Sequence, residues 1–312
     1  MPSWNVDTPG RLDSFLAASE PALTRARAQK LIERQNVTVN GKLITRPAHM
    51  VRVGDAVEVA DVPLESNTVV EPVDLKLTIV YEDDHCVVIQ KPVGLPVHPG
   101  AGMAPGAITV LSGIAWLYKK WKLPFSSGHC LVHRLDKETS GCLLVAKTPE
   151  AHLALQKQFE ERSVQKTYLA LVAGVPKDKT ALIDAPMGRH GQSRTRMAVI
   201  GASKTREAQT TYTVLSAAKE ASLLEVALHT GRTHQARVHL RAINHPILGD
   251  DEYATDVSRR LSRALEIPRV CLHAWKLMFT PLGAKKPVTA SAPLPDDIKA
   301  AMARADVPAV SA

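Results

Sequence analysis

Apolar positions fall at helical spacing in three stretches of this chain and in short, strand-length blocks through most of the rest. Near the N-terminus, Ala28, Leu31 and Ile32 share one face of a predicted helix running from a Thr24 cap to about Gln35. Val37-Thr-Val39 then alternates into Asn40-Gly41, a pair that favours a tight hairpin turn. A further strand, Asp55–Val59, closes a small module over residues 10–60. Residues 61–73 have no periodicity and read as a linker. From 74 to 290 strands and loops dominate: 77–81, 86–90, 168–172, 208–212 and 223–229 read as strands, with helices at 151–162 and 233–243. The segment 91–100 is too rich in Pro and Gly for a regular element. Residues 291–312 read as an Ala-rich tail with room for one short helix.

Composition narrows the class. No apolar run approaches the ~18 residues of a membrane span, and the N-terminus lacks the apolar core of a signal peptide. The four cysteines (86, 130, 142, 271) show no Cys-x-x-Cys spacing, and three sit in apolar runs. A reduced, cytoplasmic, monomeric protein with no metal is therefore expected. Formal net charge is +8, and the charge is uneven. Residues 61–90 carry seven Asp/Glu against one Lys, whereas 186–245 carry nine Lys/Arg against three Glu. That segment, which includes Arg189 and Arg237, suits a polyanion or is ordinary solubilising charge. Arg27, Lys30 and Arg34 line one face of the first helix, and Lys42 follows the hairpin; they either grip a phosphate backbone or form a solvated face.

Three constellations carry candidate chemistry. His133-Arg-Leu-Asp-Lys-Glu-Thr-Ser-Gly141 sets one carboxylate, Asp136, between two cations in a turn between two short, buried-looking strands, 130–132 and 142–146. Charged side chains are seldom buried without partners, so this turn needs matching neighbours. Lys166-Thr-Tyr168 puts a phenol where a turn enters a strand, a position that packing alone would also explain. His229-Thr-Gly-Arg-Thr-His-Gln-Ala-Arg-Val-His-Leu-Arg241 puts Arg232 at a strand-to-helix junction, with Arg237 and Arg241 on the polar side of the helix.

Together these motifs closely resemble the RluA-type RNA pseudouridine synthases, in order and spacing, across about 74–290. Lesser matches are Lys91–Gly100, Met187-Gly-Arg-His190 and His245-Pro-Ile-Leu-Gly-Asp250. The front module resembles an S4-type RNA-binding domain, carried by Arg25–Glu33 and Val37–Lys42. The resemblance implies an α+β protein: a mixed, mostly antiparallel sheet in the catalytic domain, behind a small α/β S4 domain. It implies isomerisation of uridine in RNA to its C-glycoside, with no cofactor. The layout is that of bacterial synthases acting on large-subunit ribosomal RNA, free or in a precursor subunit. Carried over by position, Asp136 is the essential carboxylate, Arg232 the cation paired with it, and Tyr168 the ring that stacks on uracil. Arg134 fills the gap left by the extruded base or, alternatively, steadies the turn by a salt bridge, and His133 joins it in binding substrate. Ala236 replaces a larger aliphatic residue, and 107–127 departs from the family's usual wording.

Two other readings stand beside this one. A catalytically inactive rRNA-binding or assembly protein would have no chemical reason to keep Asp136, Tyr168 and Arg232 together. A nucleic-acid N-glycoside hydrolase would want a second carboxylate, and Glu138 is the only near candidate in the motifs.

Overall fold

A computed structural model describes residues 2–19, 25–60, 70–100, 103–104, 106–191 and 196–310, with Ala26 and Arg27 described by backbone alone. They divide into two compact units, Met1–Thr68 and Val69–Ala312. No helix among the described residues is long and apolar enough to cross a membrane.

The first unit runs β1 (Ser3–Asn5), β2 (Gly10–Arg11), α1 (Leu12–Ser19), α2 (Arg25–Glu33), β3 (Val37–Val39), β4 (Lys42–Leu43), β5 (Met50–Val51) and β6 (Ala56–Val59). The β3–β4 hairpin turns at Asn40 and Gly41, both at positive φ, as its twist requires. A four-stranded sheet in the order β1-β6-β3-β4 closes over Leu12, Leu16, Ile32 and Val37. Strand β1 precedes residue 10, so the unit begins earlier than its periodicity suggested. Asp13 is fully buried at the start of α1, where Arg11 (2.9 Å), Arg25 (3.2 Å) and Gln29 (2.7 Å) donate to it. Arg11 above all holds its carboxyl well below the usual range. The predicted Thr24 cap and linker residues 61–69 lie outside the described residues.

The second unit continues with β7 (Thr78–Glu82), β8 (Cys86–Lys91), α3 (Val110–Trp121), β9 (Ser140–Ala146), α4 (Pro149–Glu160), β10 (Gln165–Ala173) and β11 (Thr180–Asp184). Then come β12 (Met187–His190), β13 (Met197–Ala198), β14 (Ala202–Arg206), β15 (Gln209–Ala217), β16 (Ala221–Leu228) and α5 (Gln235–Ala242). The chain closes with α6 (Asp256–Ala264), β17 (Leu272–Phe279), β18 (Val288–Ser291) and α7 (Asp296–Arg304). The described main sheet runs β11-β15-β16-β10-β17-β9-β8-β7, with β18 on β17. Every pairing is antiparallel except β9 with β17. Strands β12, β13 and β14 form a separate small sheet.

The parallel contact fixes the strand that follows the Asp136 turn. Gly141 lies at φ 113°, and a Cβ there would collide with the Ala274 backbone. Beside it the Ser140 hydroxyl meets His273 Nδ1 at 2.9 Å, while His273 Nε2 lies 3.1 Å from the Ala292 carbonyl. Arg269 binds Asp297 through two 2.7 Å hydrogen bonds and donates to Ser140 Oγ. Helix α7 is thereby tied to β9.

Three expectations need correction. The segment 291–312 is no tail: α7 buries Ile298, Ala301 and Met302 in the main core, because its apolar face repeats at i, i+3, i+4. Residues 130–132 form no strand, only a bridge between Leu131 and Val145. Residues 70–73 belong to the second unit, where Val70 packs on the core and the Val73 N–H donates to the Ser112 carbonyl.

Candidate active site

The Asp136 turn is built by side chains that hold its backbone. His133 Nε2 accepts from the Leu144 N–H (2.8 Å), and its ring stacks on Phe159 at 4.8 Å. Burial pushes this imidazole down to about 3, so it stays a neutral acceptor. His133 was expected to bind substrate; its Nε2 lone pair is instead spent on β9, which makes it a pin for the turn. On the other side, the fully buried Lys91 ammonium donates to the carbonyls of Pro92 (2.6 Å), Leu95 (2.8 Å) and Lys137 (3.0 Å). Burial lowers Lys91 to about 8, and its three N–H bonds tie the Pro/Gly loop to the residue after Asp136. Leu135 is buried, so the backbone cannot swivel and Asp136 stands half-buried at the turn's crest.

Two groups from α5 and its cap face that carboxylate. Arg237 Nη1 lies 3.9 Å from Oδ2, and His234 Nε2 lies 3.9 Å from Oδ1. Arg237 is itself gripped: Asp250, fully buried, takes its Nε and Nη2 at 2.7 and 2.8 Å, and Glu252 takes Nη2 at 3.0 Å. Its guanidinium also lies over the Tyr253 ring, 4.9 Å from the centroid.

The expected pairing of Asp136 with Arg232 is not found. Arg232 precedes the helix, and Gln235 turns the chain there by accepting from the Arg232 N–H and the Thr230 hydroxyl. Its guanidinium donates to the Glu207 carbonyl at 3.0 Å. Arg237 was assigned to the RNA surface; it is buried and faces the carboxylates, since the helix face carrying it turns inward.

Tyr168 enters β10 at a bulge against β17, between Thr167 and Tyr168, a distortion that re-aims a side chain. It is buried in the main core, and burial, then Asp136, raises its phenol above the ordinary range. The phenol therefore stays protonated beside the carboxylate. Arg134 is exposed and close enough to the likewise exposed His98 to lower its imidazole, although partial desolvation is the larger cause. Among the described residues it forms no salt bridge that would steady the turn. The arrangement brings together an anchored carboxylate, an arginine, an imidazole and a phenol.

Of the other expected RNA contacts, Lys30, Arg34 and Lys42 are exposed on the first unit and Arg189 on β12 of the second. The side chain of Arg27 lies outside the described residues. His234, Asp250, Glu252, Tyr253 and Lys91 were not singled out from the sequence. A usable signal was present for His234 and Arg237, whose i, i+3 spacing opens a helix on one face.

Residues 85–242 match the RNA pseudouridylate synthase family, and residues 10–57 match the S4 domain. The chain belongs to the RNA pseudouridylate synthase family; it is an RNA pseudouridine synthase with an N-terminal S4 domain. It is 40% identical over 293 residues to the ribosomal large subunit pseudouridine synthase D of Nitrosomonas europaea, covering 93% of this chain and 83% of that protein. The protein of the same name from Zymomonas mobilis is 36% identical, with 93% and 92% covered. An uncharacterized RNA pseudouridine synthase of Aquifex aeolicus is 40% identical, with 86% and 85% covered. Among solved structures, human RNA pseudouridylate synthase domain containing 4 superposes with a TM-score of 0.60 at 28% identity, covering 75% of this chain and 95% of that one.

Proposed function

We propose that this synthase isomerises particular uridines of large-subunit ribosomal RNA, with Asp136 as the essential carboxylate. Relatives 36–40% identical over nearly the whole chain carry that substrate in their names, and this supports the assignment. The observation that carries the residue assignment is Asp136 itself: a carboxylate held at the crest of a doubly pinned turn, with Arg237 and His234 facing its two oxygens. In this reading the uracil leaves C1′ at N1 and is rejoined through C5. Asp136 acts as the ionised nucleophile, and Arg237 keeps it charged as the base excludes water. Tyr168 packs against the uracil as a neutral phenol.

The target nucleotide must leave its stack, which costs a few kcal/mol. Arg134, exposed and without a carboxylate partner among the described residues, is suited to occupy the gap, because a planar guanidinium can stack and still reach phosphate. Lys30, Arg34, Lys42 and Arg189 add salt-dependent grip. The enzyme works as a monomer in the cytoplasm, on free rRNA or a precursor subunit. The test is carbodiimide-dependent primer extension over ribosomal RNA from cells lacking the gene. Specific large-subunit stops should vanish, return with the wild type and stay absent with Asp136→Asn. Stops restored by Asp136→Asn would end the nucleophile assignment; unchanged stops throughout would end the rRNA assignment.

A further inference from the structure

His234 occupies an unusual position. It caps α5 in the left-handed region (φ 57°), and both ring nitrogens face functional groups. Nδ1 lies 2.8 Å from the Tyr253 hydroxyl and Nε2 lies 3.9 Å from Asp136 Oδ1. The Tyr253 hydroxyl already accepts from the Met197 N–H at 3.0 Å. Its own proton therefore needs an acceptor, and His234 Nδ1 supplies it. Glu252 Oε2 is 3.5 Å from Nδ1 but is engaged by Arg237 at 3.0 Å. When one ring nitrogen accepts, the proton of a neutral imidazole sits on the other. Here that is Nε2, the nitrogen facing Asp136.

We infer that His234 is a positioning residue for the reaction: the Tyr253 hydroxyl fixes it as the Nε2–H tautomer, which offers Asp136 Oδ1 a neutral hydrogen-bond donor while Arg237 faces Oδ2. The inference rests on the reading of Asp136 as the essential carboxylate. Two donors on different sides hold the carboxylate plane in one orientation without adding a second positive charge. The 3.9 Å separation closes when the base enters, as catalytic hydrogen bonds do in substrate complexes. The groups facing the imidazole are Asp136 from the turn, Arg237 from α5, and Asp250, Glu252 and Tyr253 from the loop before α6. Burial, opposed by Asp136 and reinforced by Arg237, lowers the His234 pKa and keeps the ring neutral.

The test uses the full chain and a large-subunit rRNA transcript tritiated at uridine C5, because isomerisation releases that tritium to water. Losing a hydrogen bond to a charged group corresponds to a rate loss on the order of ten- to a hundred-fold. His234→Ala should lose that much kcat with RNA affinity unchanged, and His234→Gln, which keeps an N–H donor, should recover most of it. Tyr253→Phe should also slow turnover, and the double variant should be no slower than His234→Ala alone. Wild-type turnover in His234→Ala, a loss confined to RNA affinity, a Gln variant as slow as Ala, or additive losses would each overturn the inference. Asp136→Asn run in parallel separates the two readings. If it is inert while the His234 variants match wild type, only the role of His234 fails; if it is active, the Asp136 reading fails.

Discussion

Replacing Arg237 by Ala tests the site more severely than any other single change. The guanidinium serves three carboxylates at once: it closes a buried pair with Asp250, binds Glu252 at 3.0 Å, and faces Asp136 at 3.9 Å. Removing one partner of a buried pair destabilises by about 3–5 kcal/mol, since the other charge is left uncompensated. Asp250 has no exposed surface from which to recover hydration, so the upper part of that range applies. At a separation near 4 Å and an effective dielectric constant of about 20, the interaction with Asp136 is worth roughly 4 kcal/mol before desolvation. Even a third of it would slow turnover by about ten-fold. Arg237→Ala should therefore lower the urea midpoint sharply and reduce tritium release by more than ten-fold at temperatures where the protein stays folded. Arg237→Lys keeps the charge but loses the planar fork, so it should recover stability in part. Arg232→Ala, which removes only a contact to the Glu207 carbonyl, should leave stability within about 0.5 kcal/mol. An inactive Arg232→Ala beside an active Arg237→Ala would refute the assignment outright.

Three further outcomes follow from the same geometry. Burial holds His133 at about 3 and His273 at about 4, both below the unfolded value of 6.5, so the unfolded chain binds more protons between those limits. Stability should be complete above pH 6.5 and fall as pH drops toward 4, and His133→Phe should flatten that fall in urea titrations. Substituting Lys30 and Arg34 by Ala should reduce the slope of log affinity against log salt by about 1.5, from roughly 0.7–0.9 per phosphate contact, in filter binding; an unchanged slope would make that helix face merely solvated. Asp297→Ala leaves buried Arg269 without its bidentate partner, so it should lower Tm while RNA affinity at 25 °C stays the same.

Much of the fold was legible because local chemistry and tertiary packing agree. Asn40-Gly41 turned as expected, and α2, α4, α5 and strands β7, β8, β10 and β16 formed within a few residues of their periodic patterns, while β15 runs on to Ala217. Helix α3 was missed because Ile114, Leu117 and Tyr118 sit among Gly113 and two tryptophans, which blur the apolar stripe. Strand β17 was missed because its first half, Leu272 to Trp275, is buried on both faces and alternation is confined to the short stretch after it. The end of the chain passed for a tail because its helix is short and carries two large apolar residues, Ile298 and Met302, and only packing in the main core shows that these and Ala301 are buried.

The site was legible as a set of residues but not as a set of pairings. Asp136 could be found because its nine-residue turn and two further motifs, in order and at the right spacing, resemble the RluA-type synthases. Its partner could not, because Arg232 and Arg237 lie five residues apart across a strand-to-helix junction, and spacing does not say which one the helix turns inward. What decides it is Asp250, thirteen residues beyond Arg237 and fully buried. A buried carboxylate requires a cation, Arg237 supplies it, and the same guanidinium then has its Nη1 left to face Asp136. Arg232 has no such obligation and folds back onto a carbonyl. The choice of the cation that faces Asp136 thus follows from a charge balance set by Asp250, at the end of the His245–Asp250 match, and by Glu252 beyond it.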